Sequence, residues 1–170
     1  MIDHRQKSRA VGASMAMALS LGMLTACSSG KAPLDADKLK GMANDYTVAW
    51  CSHDAANVAK FFAPNGSLRI NDGELSIGRV AITAAAQKVM TDFPDLDVEM
   101  EELSLYGGEI VYHWTLSGKN SGPGGTGRRV RIRGNEEWTI GADGLIATSR
   151  AHYDEAEYQR QLKEGAPRVP

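Results

Sequence analysis

At Pro94 the apolar pattern of this chain changes its period, and that change limits the folds open to it. Before it, from Asp35 to Ser52, apolar or aromatic residues fall at Leu39, Met42, Ala43, Tyr46, Ala49 and Trp50. A spacing of three and four puts them on one face of a helix. After it, Leu96, Val98 and Met100 alternate with Asp97, Glu99 and Glu101, the period of two that belongs to a strand with one buried face. Helices come first and strands follow. That order predicts an α+β fold in which N-terminal helices cover one face of a curved, mostly antiparallel sheet.

The remaining elements fit the same plan. Asp54 is placed to cap a short second helix running through Lys60. Phe61-Phe62-Ala63-Pro64-Asn65-Gly66 predicts a break before a strand pair around Leu68–Ile70 and Leu75–Ile77. A third helix runs from Gly78 to Phe93 and stops at Pro94. Ile110, Tyr112, Trp114 and Leu116 then alternate with Glu109, Val111, His113 and Thr115, and Val130, Ile132, Trp138 and Ile140 continue the apolar side on a long strand. A glycine-rich loop, Gly118 to Gly127, turns the chain between them, and its Gly122 to Gly127 part reads as a mobile turn over a pocket mouth. Asp143-Gly144 turns into a last strand, Leu145 to Tyr153, and a helix from Asp154 to Lys163 closes the chain.

The N-terminus carries a different signal. Arg5, Lys7 and Arg9 precede an uncharged run, Ala10 to Ala26, that ends Leu24-Thr25-Ala26-Cys27. Basic start, short apolar run and small residues before a cut are the anatomy of a secretory signal. The Leu-Thr-Ala-Cys ending resembles the lipobox of bacterial lipoproteins, which implies lipidation at Cys27 and a protein held to a membrane at the cell envelope. The expected division is a signal peptide over 1–26, lipidated cysteine and tether over 27–34, one domain over 35–165 and a tail over 166–170. Residues 1–26 hold three basic and one acidic residue, so what remains has 16 Lys+Arg against 20 Asp+Glu, a formal charge of −4. That balance, with no aromatic-laced basic patch, argues against nucleic acid as a partner. Cys51 is then the only other cysteine, which leaves no internal disulfide.

Within the long strand, Arg133-Gly134-Asn135-Glu136-Glu137-Trp138 sets two carboxylates side by side. Counting by two groups Glu136 with Val130, Ile132, Gly134, Trp138 and Ile140, and Glu137 with Arg129, Arg131, Arg133, Asn135 and Thr139. Glu136 is thus the polar residue on the apolar face, unless a bulge near Gly134 swaps the pair. A carboxyl on an apolar wall holds its proton to higher pH or acts as a stronger base. It can equally be a structural group paired with a cation. The same parity puts Ile146, Thr148, Arg150 and His152 together on the next strand, which makes Arg150 the expected partner of Glu136 and His152 a second proton-transfer group.

Four stretches carry a family resemblance. Tyr46-Thr47-Val48-Ala49-Trp50-Cys51-Ser52-His53-Asp54, Phe61-Phe62-Ala63-Pro64-Asn65-Gly66, Phe93-Pro94-Asp95-Leu96-Asp97-Val98-Glu99, and the pair Gly127-Arg128-Arg129-Val130 with Arg133-Gly134-Asn135-Glu136 come in order over Leu39 to Leu162. Together they resemble the nuclear transport factor two-like superfamily and, within it, the SnoaL-like polyketide cyclases. The resemblance implies a cone-shaped sheet that encloses a ligand pocket and supports dimers. It also implies an acid/base role at Glu136, where the cyclases hold an aspartate that serves an intramolecular aldol closure. This chain departs from the family in having the longer glutamate there, in lacking a histidine in the Gly118 to Gly122 loop, and in placing Arg150 where many relatives have tryptophan.

These readings converge on a lipid-anchored domain that binds a small, largely apolar or carbonyl-bearing ligand. Two alternatives stand beside it: a cofactor-free cyclase, isomerase or hydrolase with Glu136, Arg150 and His152 as its catalytic groups, and a non-catalytic envelope protein with a filled interior. Tyr46, Trp50, Tyr112, Trp114 and Trp138 are the candidate ligand walls. No metal or cofactor is expected, because none of the four histidines pairs with another ligand at helix or strand interval. A homodimer through the outer sheet face is the expected assembly.

Overall fold

Asp35 starts the first helix. Its carboxylate accepts from the N–H groups of Asp37 and Lys38, covering donors that a helix start leaves unpaired. A computed structural model describes residues 35–106 and 109–167. Cys27, the signal and the tether expected around it lie outside the described residues. The elements in order are α1 (Ala36–Cys51), α2 (Ala55–Ala59), β1 (Phe62–Ile70), β2 (Ser76–Ile77), α3 (Gly78–Asp92), β3 (Asp97–Tyr106), β4 (Glu109–Lys119), β5 (Arg129–Ile140), β6 (Ile146–Tyr153) and α4 (Glu155–Glu164). Asp54 caps α2 and Asp154 caps α4, each through its carboxylate.

The six strands form one curved sheet in the order β2-β1-β6-β5-β4-β3. All neighbours are antiparallel except β1 and β6, which run parallel. This is the α+β architecture that the change of period predicts. The helices and the inner sheet face enclose the core, in which Tyr46, Tyr112, Phe62, Leu68, Ile82, Ile110 and Ile146 are almost wholly removed from water.

β4 and β5 pair without interruption from Ile110–Trp138 to Lys119–Arg129. No bulge lies near Gly134, so the strand parity holds and Glu136 faces inward, 4% exposed. Two other places depart from expectation. In the stretch Phe61 to Gly66, read as a break, Phe62 to Gly66 are the start of β1. Its register against β6 shifts between Phe62 and Ser67, and this irregularity lets Pro64, which has no N–H to give a ladder, sit inside a strand. Gly66 passes so close to the Ile146 carbonyl that a Cβ there would lie 2.7 Å from the oxygen, and a side chain would push the strands apart.

The second departure is in β6. Thr139 faces Thr148 while Ile140 faces Ile146, so Ala147 is an extra residue that reverses the alternation. Ile146, Ser149 and Ala151 point inward, whereas Thr148, Arg150 and His152 are exposed. Arg150 stands opposite Glu137 on the outer face. The expected Glu136–Arg150 pairing is therefore wrong, and His152 is equally far from the interior face. A bulge can turn every later side chain to the other side of a sheet.

Candidate functional site

A cavity of about 530 Å³ opens between α3, α4 and the inner face of the sheet, within the usual range for small-molecule sites. Leu68, Ile132 and Leu116 supply aliphatic wall. Trp50, Tyr112 and Trp114, three of the five aromatic residues expected to contact a ligand, line it as well. Tyr46 and Trp138 do not reach the wall. They sit against Glu136, which does.

Glu136 owes its surroundings to three elements. Tyr46 comes from α1, where the helical spacing buries it together with Ala43 and Trp50. Trp138 is two residues along β5 and so shares its face, and Ser149 is brought inward by the β6 bulge. Their hydrogen bonds are uneven. Glu136 Oε2 accepts from Ser149 Oγ at 2.7 Å, from Trp138 Nε1 at 3.0 Å and from the Tyr46 hydroxyl at 3.1 Å. Oε1 has only the Tyr46 hydroxyl, at 3.4 Å. An indole N–H can donate and never accept, so Trp138 holds Oε2 as an acceptor, and with the single Tyr46 hydroxyl proton shared between the two oxygens Oε1 is the less engaged one.

Burial raises the Glu136 pKa from its ordinary value of 4.5, and the bonds from Trp138, Ser149 and Tyr46 work in the opposite direction. No cation takes part. Tyr46 is pushed well above the usual phenol range by burial and by the Glu136 charge, which keeps its hydroxyl a donor at neutral pH. Tyr112 is pushed up too, mainly by burial, and its hydroxyl meets Thr47 Oγ1 at 2.8 Å.

This arrangement has a sign in a pH titration of stability. A carboxyl whose folded pKa exceeds its unfolded one adds stability that is complete below its unfolded value and lost as pH rises through the folded value. Glu157, held at about 2 mainly by Arg160, has the opposite trend. The stability of the wild-type protein minus that of Glu136→Gln should therefore fall as pH rises above 4.5 and then level off. Denaturant titrations at a series of pH values measure it, and a difference that rises with pH would show a depressed carboxyl instead.

Trp114 is positioned by what β5 lacks. It faces Gly134 across the β4–β5 ladder, and a Cβ at Gly134 would overlap its indole ring and the His152 carbonyl. Gly134→Ala should displace the ring or bend the strand, costing about 1–3 kcal/mol as overpacking does. Thermal unfolding measures the loss, and the cavity-facing tryptophan fluorescence should shift with it.

The structure also places residues that sequence reasoning misses. Cys51 is outside the site, part-buried with its Sγ 3.3 Å from the Val98 N and O atoms, and burial pushes its thiol up. The loop expected over the pocket mouth contributes no lining residue: the Asn120 Oδ1 accepts from Thr126 N, and Asn120 Nδ2 donates to the Asp92 carbonyl. Gly73, Glu74 and Ser76, around the β1–β2 turn, line the cavity in its place. Asn71 anchors that turn, bonding Tyr153 N through Oδ1 and Glu155 through Nδ2. Tyr153 and Tyr158 are further wall residues. Ser149 is the one polar partner of Glu136 that sequence parity hides. Among the described residues, no three His, Cys, Asp or Glu side chains gather as a metal site.

A family model described as SnoaL-like polyketide cyclase matches residues 40–162. The chain belongs to this family. No curated protein matches it, but many solved structures share the fold. TsrD from Streptomyces laurentii is 24% identical, with a TM-score of 0.66 over 76% of this chain and 97% of that one. A protein of ketosteroid isomerase-like fold from Catenulispora acidiphila, solved with trimethylamine, is 13% identical, with a TM-score of 0.64 over 74% and 97%. SalBIII, an epoxide hydrolase/cyclase-like enzyme with a role in pyran ring formation in the polyether salinomycin, is 19% identical, with a TM-score of 0.62 over 72% and 95%. At these identities the likeness is one of fold. In this SnoaL-like chain the buried carboxylate at Glu136 is held by three neutral donors, Ser149, Trp138 and Tyr46.

Proposed function

We propose that this SnoaL-like domain binds a small, largely apolar ligand in its cavity and that Glu136 exchanges a proton with it, without a cofactor. The observation that carries the reading is the uneven bonding of the carboxyl. Oε2 is fixed by three donors and Oε1 is left with one long bond, on a side chain that lines the cavity. A purely structural glutamate would be expected to have both oxygens satisfied or to pair with a cation. The cyclase and isomerase chemistry associated with this family, and the cyclase-like description of SalBIII, agree with an acid/base role. Binding without turnover rested on the missing loop histidine, the envelope location and a Glu136–Arg150 pair, and the last of these three is gone. An envelope protein with a filled interior does not fit a cavity of this size.

Proton exchange is the direct test. Small cyclic ketones incubated with the protein in D₂O should gain deuterium at the α-carbon, followed by NMR. Ketones that bind but exchange no faster than in buffer would return the domain to the ligand-binding class. The proposal retains two expectations from the sequence: a lipid on Cys27 that holds the domain at the cell envelope, and a homodimer through the outer sheet face.

A further inference from the structure

We propose that the indole N–H of Trp114 is the hydrogen-bond donor for the oxygen of a carbonyl-bearing ligand. The inference rests on the acid/base reading of Glu136 and names the ligand class. Trp114 lines the cavity and is 8% exposed. Its Nε1 is buried and has no partner, and among the described residues it is the only buried side-chain nitrogen or oxygen left so. Trp138 shows the contrast, since its N–H bonds Glu136 at 3.0 Å. Buried donors are nearly always paired, so an orphan on a side chain that lines the cavity points to an acceptor from outside the chain, reached once the ring gives way.

The choice of acceptor follows from Glu136. Tyr112 faces Glu136 and Trp114 faces Gly134, which makes Trp114 and Glu136 diagonal neighbours on one sheet face. Diagonal pairs stand about 7–8 Å apart at the backbone, a span that one small molecule bridges. If Glu136 Oε1 removes a proton from carbon, the C–H electron pair becomes the new C=C bond and the C=O pair moves onto oxygen. Glu136 ends protonated and the ligand ends as an enolate. Negative charge then grows on the oxygen that Trp114 faces, and a donor there stabilises it without giving up its own proton. A ligand with no oxygen beside its acidic carbon would use Glu136 and leave Trp114 unpaired.

The test uses the ¹⁵N-labelled protein and a matched pair of probes, 2-decalone and its exocyclic methylene isostere. The sequence has three tryptophans, so three indole N–H signals are followed. The ketone should move one of them downfield, the one missing in Trp114→Phe. The isostere should bind about tenfold more weakly, the worth of one good hydrogen bond to a buried donor, and Trp114→Phe should level the two affinities. Equal shifts of that signal by both probes, or a ketone preference that survives in Trp114→Phe, would overturn the role of Trp114 and leave the Glu136 reading standing. If no indole signal responds to either probe, both readings fall. Should Trp114→Phe not fold, the two probes on the unsubstituted protein decide.

Discussion

Glu136→Gln should keep the fold and lose about 10²–10⁴-fold in α-proton exchange, the usual worth of a positioned general acid or base. The amide has nearly the shape of the carboxyl, so its oxygen can still accept from Ser149 and Trp138, and the aromatic packing behind it is undisturbed. What disappears is the carboxyl oxygen that can take up and release a proton. The pH profile is part of the same expectation. Because burial lifts the Glu136 pKa above 4.5, exchange in the wild-type protein should rise with pH through that raised value as the carboxylate forms, and the residual exchange in Glu136→Gln should lack that limb. Arg150→Ala and His152→Ala are the controls, since the β6 bulge puts both on the outer face. A large loss in either control with an unchanged Glu136→Gln would move the chemistry to the other side of the sheet.

Much of this architecture is legible before any coordinates. The helix α1 and the switch to period two follow from side-chain spacing, because burial of one face writes itself into the alternation of residues. Glu136 is legible for the same reason: β4 and β5 stay in register over ten pairs, so counting by two does not go astray. The partners of Glu136 are harder to read. An extra residue at Ala147 is a backbone event in a stretch, Ile146-Ala147-Thr148-Ser149, whose side chains fit either face, and nothing in it announces the reversal. That single residue replaces a charged arginine by a serine beside the carboxyl. The chemical meaning changes with it, from an ion pair to a desolvated acid held by neutral donors. Pro64 misleads in a similar way, since a proline argues against a strand unless an irregularity admits it. Tyr158 is hidden by distance, because only the packing of α4 against the sheet brings a helix outside the matched motifs to the cavity.

Tyr46→Ala should destabilise the domain by about 3–5 kcal/mol, the cost of emptying a fully buried aromatic site, and should do so more than any change at the cavity wall. Tyr46 is wholly buried, and five rings surround it: Trp138 at 5.3 Å, Phe61 at 5.5 Å, Tyr112 at 5.6 Å, Phe62 at 6.2 Å and Trp50 at 6.3 Å between centroids. All five stand edge to face with it, the arrangement aromatic quadrupoles favour. Removing the ring opens a hole where α1, β1, β4 and β5 meet. Tyr46→Phe separates packing from chemistry. The ring stays, so the loss should be closer to the roughly 1.5–3 kcal/mol of a hydrogen bond to a charged group, and it should shrink at low pH where the carboxyl is protonated. One of the donors that oppose desolvation is gone, so the Glu136 pKa should rise further and the pH profile of proton exchange should move upward with it. Chemical denaturation and the exchange profile measure the two effects on the same variant. A Tyr46→Phe protein with full stability loss and an unmoved profile would mean that the hydroxyl serves the core alone and that Glu136 is tuned by Trp138 and Ser149.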